Sequence, residues 1–170
     1  MPIDDCAGSF AELAATILPA HMALMRRAMT GARPMSGFCT PGVGHKTILS
    51  SLGRSADFSG CYVLLHEGRP LYVGISRGVI GRLRQHCNGT THFDASLAYR
   101  MANKKTPHGT TSKAGMQDAT FRAAFKAEQA FLRTCTVAFI EIPNPLELYL
   151  FEAYCSMELD TCEWNTFRTH

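Results

Sequence analysis

The spacing of apolar residues changes along the chain, and each change predicts an element. From Ser9 to Met29, apolar residues recur every three or four positions (Phe10, Leu13, Ile17, Leu24, Met25), which predicts an amphipathic helix. Ser9 and Glu12 form a capping-box pattern at its start, and Pro19 is expected to kink or split it. Between Gly31 and Gly44 the breakers Gly31, Pro34, Gly37, Pro41, Gly42 and Gly44 predict a linker or irregular loop. The period then shortens. Cys61–Leu65 and Leu71–Gly74 are rich in strand formers, and they flank Glu67-Gly68-Arg69-Pro70, so they predict a β-hairpin. Helical spacing returns at Val79, Leu83 and Cys87, and Asn88-Gly89-Thr90-Thr91 ends that helix. Asp94 is expected to cap a short helix from Ala95 to Ala102, and the polar stretch from Asn103 to Gly115 an exposed, mobile loop. A helix from Ala119 to Leu132, a strand from Thr136 to Ile142 and a last helix from Leu146 to Leu159 complete the pattern.

This order predicts an α+β fold, with a small, mainly antiparallel, three-stranded sheet flanked by helices. Residues 1–57 are expected to form an N-terminal helical extension with a Gly/Pro-rich linker, and residues 58–170 the main domain. With 46% hydrophobic and 18% charged residues in 170, composition excludes wholesale disorder. No apolar run reaches the ~20 residues of a membrane span, and no export signal is read. A cytoplasmic protein is expected. The seven cysteines form no Cys-x-x-Cys pair, so they are expected to be reduced, mostly buried thiols.

The net charge of +3 is unevenly spread. Residues 1–68 hold five Lys/Arg and five Asp/Glu, residues 69–133 eleven against three, and residues 134–170 one against six. A basic middle followed by an acidic end suits a phosphate-binding surface beside a metal-binding carboxylate, or two blocks that neutralise each other across the fold.

Within the predicted hairpin stand Gly60-Cys61-Tyr62 and Tyr72-Val73-Gly74. Arg82 follows eight residues after Gly74, His86 four after that, then Glu152 on the last helix and Asn165 near the end. Two tyrosines on adjacent strands are able to share a face. Phenols are weak bases at neutral pH unless a cation stabilises the phenolate or a metal-bound water replaces it. Arg82 offers a fork-shaped cation that fits phosphate, and His86 lies one helical turn further on. Glu152 is a hard oxygen ligand of the kind Mg²⁺ takes together with water.

In this order and spacing, residues 58–167 resemble a GIY-YIG endonuclease domain, with Cys61 and Val73 at the nominal isoleucine positions. The resemblance implies a metal-dependent endonuclease that hydrolyses DNA phosphodiester bonds with water as nucleophile. Tyr62 would be the general base, assisted by His86. Arg82 would stabilise the phosphate, Tyr72 would orient phosphate or water, and Asn165 would hold the loop or the phosphate. Glu152 would hold one Mg²⁺ or Mn²⁺. Gly74, Arg84, His92, Lys104, Lys105 and Lys113 are the expected DNA contacts, with His92 where some family members carry a second histidine. Two other readings remain at this level: a nucleic-acid-binding module without turnover, and a nicking subunit that needs a partner, with the N-terminal apolar helix as a dimer or partner contact.

Overall fold

The structure is a computed structural model and describes residues 3–167. Its contacts divide the chain into two compact units. The first comprises residues 1–33, 56–79 and 136–170, and the second residues 34–55 and 80–135. This division differs from the boundary expected between residues 57 and 58, because the N-terminal helix joins the hairpin's unit while the segment after it joins the other.

In the first unit the capping box forms as its residues predict. The Ser9 backbone N–H donates to Glu12 Oε2 at 2.7 Å, and the Glu12 N–H donates to Ser9 Oγ at 3.3 Å. Helix α1 (Phe10–Glu12) passes through a wide π-turn (Leu13–Ile17) into α2 (Leu18–Thr30). Pro19 therefore does not split the helix. It lacks an N–H and sits in the first turn of α2, and the wide turn before it absorbs the misfit. Strands β2 (Gly60–His66) and β3 (Arg69–Ser76) form the expected hairpin. Glu67 and Gly68 both have positive φ (51° and 76°), as a two-residue type I′ turn requires.

The sheet has four strands rather than three, in the order β1-β4-β2-β3. β4 (Thr136–Glu141) runs antiparallel to β2, and the extra strand is the two-residue β1 (Arg33–Pro34). Pro34 has no N–H to give a ladder, so it is tolerated at the sheet edge, where the breaker-rich stretch had suggested only a loop. Helix α9 (Pro145–Glu158), capped by the Asn144 side chain on the Glu147 N–H at 3.0 Å, completes the unit. Cys61, Val63, Leu65 and Val73 form one core with Leu18, Met22 and Met25 of α2 and with Leu148, Phe151 and Cys155 of α9. Of the predicted apolar stripe, Leu13 and Met25 are buried within this unit and Ile17 is half-buried, while Phe10 and Leu24 are exposed. His21–Glu147 (3.0 Å) and Arg26–Glu158 (3.1 Å) tie α2 to α9.

The second unit holds α3 (Ser36–Cys39), α4 (His45–Ser51), α5 (Val79–Asn88, all but its first residue), α6 (Ser96–Lys105), α7 (Ser112–Gly115) and α8 (Ala119–Thr134). α6 packs on α8 through buried Leu97, Ala98 and Met101 and buried Phe121, Phe125 and Leu132. α8 also satisfies carbonyls that the end of α5 leaves open. Gln129 donates to the Gly89 carbonyl at 2.8 Å and Arg133 to the Cys87 carbonyl at 2.8 Å. Two local expectations fail here. Asp94 does not cap α6. The N-cap is Ala95, without a side-chain bond, because the Asp94 carboxylate accepts from Thr91 Oγ1 at 2.7 Å. The stretch from Asn103 to Gly115 is not one loop. α6 continues to Lys105, α7 forms from Ser112, and His108 between them is pinned to Tyr99 Oη by a 2.8 Å hydrogen bond.

The two units also sort the charge. The second carries eleven Lys/Arg against three Asp/Glu, and the first six against eleven.

Candidate functional site

The hairpin register decides what the tyrosines do. Tyr62 pairs with Gly74, and Leu64 pairs with Tyr72, so both phenols stand on the sheet face opposite Cys61, Val63 and Val73. Their ring centroids are 6.3 Å apart. Tyr62 is 1% exposed and Tyr72 half-buried. Gly74 is buried and seats Tyr62. A Cβ at residue 74 would lie 2.4 Å from the Tyr62 hydroxyl. Gly74 makes room for the ring.

Asn165 closes the outer edge of β3. Its Oδ1 accepts from the Val73 N–H at 2.9 Å, and its Nδ2 donates to the Val73 carbonyl at 2.8 Å. The side-chain amide thus takes the place of a neighbouring strand. It fixes the residue between Tyr72 and Gly74, so Asn165 acts on the hairpin backbone.

Glu152 is half-buried on α9, which packs on the Cys61, Val63 and Val73 face of the sheet, so the structure does not set its helix on the face that carries the tyrosine pair. It follows Leu148 by one turn and precedes Cys155 and Ser156 by one turn, all three buried. Burial, hydrogen bonding to Cys155 and the nearby Cys155 and Glu152 charges push the Cys61 thiol well up. Among the described residues no three His, Cys, Asp or Glu side chains gather as a metal cage. A single carboxylate ligand is the kind of donor that Mg²⁺ or Mn²⁺ take alongside waters and substrate phosphate, and it does not suit a structural zinc.

The other expected residues lie in the second unit. Arg82 donates from Nη1 to the Asp94 carbonyl (2.7 Å) and Gln85 Oε1 (3.1 Å), and from Nη2 to Ser96 Oγ (2.9 Å). These bonds use three of its five N–H donors and hold the guanidinium against the turn after α5. His86 is fully buried, and burial with the Arg82 and Arg100 charges lowers its pKa to about 3. It is therefore a neutral imidazole at physiological pH, a weak proton acceptor and not an acid. Arg84 lines an open polar cleft of about 380 Å³ with Gln85, Asn88, Gly89, Thr90 and Asp94.

His92 stacks on Phe93, centroids 3.9 Å apart. Lys104 and Lys113 are exposed. Lys105 is exposed too, but its ammonium donates to the buried Glu128 at 2.8 Å, which commits its charge internally. Sequence reasoning passed over Asp94 and Ser96 as the anchors of Arg82, and over Phe93. The signal for Phe93 is a lone aromatic ring inside the polar turn from Asn88 to Asp94. Six cysteines are buried and Cys162 is exposed, all as free thiols. Among the described residues no helix is long and apolar enough to cross a membrane. Compared with models of protein families, with curated proteins and with solved structures, the chain returns no match.

Proposed function

We propose that the chain is a metal-dependent endonuclease of the GIY-YIG kind, hydrolysing DNA phosphodiester bonds. The observation that carries this reading is the built tyrosine pair: Tyr62 seated on Gly74, Tyr72 6.3 Å from it, and Asn165 clamping the residue between Tyr72 and Gly74. Four positions of the motif, spread from residue 62 to residue 165, thus converge on one hairpin. The charge partition supports the same reading, since the Arg82 unit is strongly basic.

In the reaction, water attacks phosphorus and passes its proton to Tyr62, which acts as the phenolate, while the bond to the sugar oxygen breaks and that oxygen takes a proton from solvent. Tyr72 positions that water. Arg82, preorganised by Asp94 and Ser96, binds backbone phosphate without having to be ordered first. Glu152 would hold one Mg²⁺ or Mn²⁺, which when bound supplies positive charge to a phosphate oxygen. His86 is a buried positioning residue in this scheme, since its lowered pKa makes it a poor base.

A plasmid-relaxation assay in Mg²⁺, Mn²⁺ and EDTA tests the proposal. Metal-dependent nicking is expected, lost in Glu152→Ala and strongly reduced in Tyr62→Phe, Tyr72→Phe and Arg82→Ala. Equal nicking by all variants would sink the site assignment. The neutral, buried His86 favours a second reading, a DNA-binding module without turnover. Binding without nicking in either metal would establish that one instead.

A further inference from the structure

The turn between α5 and α6 holds a ring that the proposed chemistry does not use. Phe93 is 76% exposed, although it follows a polar run, and an apolar ring left in water is unfavourable unless something covers it. The ring is not loose. His92 lies over it at 3.9 Å with a 37° tilt, His92 packs on Tyr99 at 5.6 Å, and Tyr99 meets the buried Phe121 edge-on at 5.3 Å. Phe93 is the outer member of a chain of tilted and edge-on ring contacts rooted in the core of the second unit.

The same turn is fastened to the arginine that offers donors to phosphate. Arg82 bonds the carbonyl of Asp94, the residue after Phe93, and Ser96 Oγ, while Thr91 and Asp94 close the turn with bonds of 2.7 and 3.1 Å. The unit around them carries eleven basic residues against three acidic ones. A rigid, exposed aromatic face beside an anchored guanidinium in a basic field is the composition of single-stranded nucleic-acid sites. There the bases stack on aromatic side chains and the backbone follows the positive charge. A duplex keeps its base faces covered, so such a ring finds a face to stack on where a base is unpaired.

We propose that Phe93, backed by His92, is a stacking platform for one unpaired base of a DNA strand whose phosphate Arg82 holds. The proposal rests on the nucleic-acid reading above and narrows the substrate to DNA with a single-stranded or distorted segment.

The test is a fluorescence-anisotropy titration in EDTA, at one fixed low salt concentration, with a labelled oligothymidylate and a labelled blunt duplex as probes. Phe93→Ala is expected to weaken oligothymidylate binding about five- to a hundredfold, with duplex affinity unchanged, and Phe93→Trp to restore it. Circular dichroism of each variant checks that it is folded. Unchanged oligothymidylate binding by Phe93→Ala, while Arg82→Ala weakens both probes, would overturn the platform and leave the nucleic-acid reading standing. Equal weakening of both probes by Phe93→Ala would also overturn it. Wild-type protein that binds neither probe would overturn both.

Discussion

Acidification should destabilise the protein through His86. The imidazole is fully buried, and its pKa falls from 6.5 to about 3 because burial and the Arg82 and Arg100 charges disfavour the cation. The unfolded chain binds that proton near pH 6.5, whereas the folded chain does not until about pH 3. Stability from this group is therefore complete above the unfolded pKa and is lost as pH falls toward the folded one. One pKa unit corresponds to about 1.4 kcal/mol, so His86 alone should cost about 3 kcal/mol by pH 4.5, and about 5 kcal/mol at the limit. That is a large share of the roughly 5–15 kcal/mol that holds a typical domain. Urea denaturation followed by circular dichroism, at steps from pH 7 to 4.5, gives the slope. Other carboxylates titrate in the same window, so the comparison is with His86→Gln, which has no ring to protonate. The difference between the two proteins should shrink by about 3 kcal/mol over this range, whatever its value at pH 7. Parallel curves, or an NMR titration of the His86 ring with a midpoint near 6.5, would refute the reasoning.

Other outcomes follow from single contacts. Gly74→Ala should cost about 1–3 kcal/mol, because its methyl group collides with the Tyr62 ring and hydroxyl, and a thermal melt that does not move would contradict the packing. Asn165→Ala removes both bonds to Val73 and should cost about 1–3 kcal/mol; amide exchange at Val73 should quicken in that variant, and unchanged protection would show that the clamp is unimportant. Ser9→Ala breaks the capping box and should cost about 0.5–2 kcal/mol in urea unfolding, with Ser9→Thr, which keeps the hydroxyl, recovering most of it. Lys105→Met leaves the Glu128 carboxylate buried without its cation and should lower stability in urea unfolding, and an unchanged midpoint would argue against the pair.

The pattern of apolar positions was enough for the longer regular elements, but not for α3, α4 and α7, short helices in stretches that read as linker or loop. The capping box at Ser9, the hairpin from residues 60 to 76, α8 and α9 all rest on local signals: a side chain bonding its own helix end, a two-residue turn, a period of two or of 3.6. The tyrosine pair was legible too, because register follows from a short turn and alternation puts every second residue on one face. The spacing of motif residues suggested Arg82 and Glu152 but said nothing of their surroundings.

Tertiary structure decided the rest, since it depends on groups distant in sequence. A strand as short as β1 exists only because β4 offers an edge to pair with. His86 looked like a solvent-facing base one turn from Arg82, and only packing reveals a neutral ring excluded from water. Lys105 looked free for phosphate, and only the approach of α8 supplies Glu128 as its partner. Asn165 was expected to hold a loop or a phosphate, and the fold brings it against the hairpin backbone 92 positions away. The charge shows the distinction best. Along the chain it falls into a neutral, a basic and an acidic block. In space the two units separate it into a basic body and an acidic one, because non-contiguous segments fold together. Local preferences act over a few residues and can be read in order. Burial and electrostatics depend on distance in space, which the order of residues does not state.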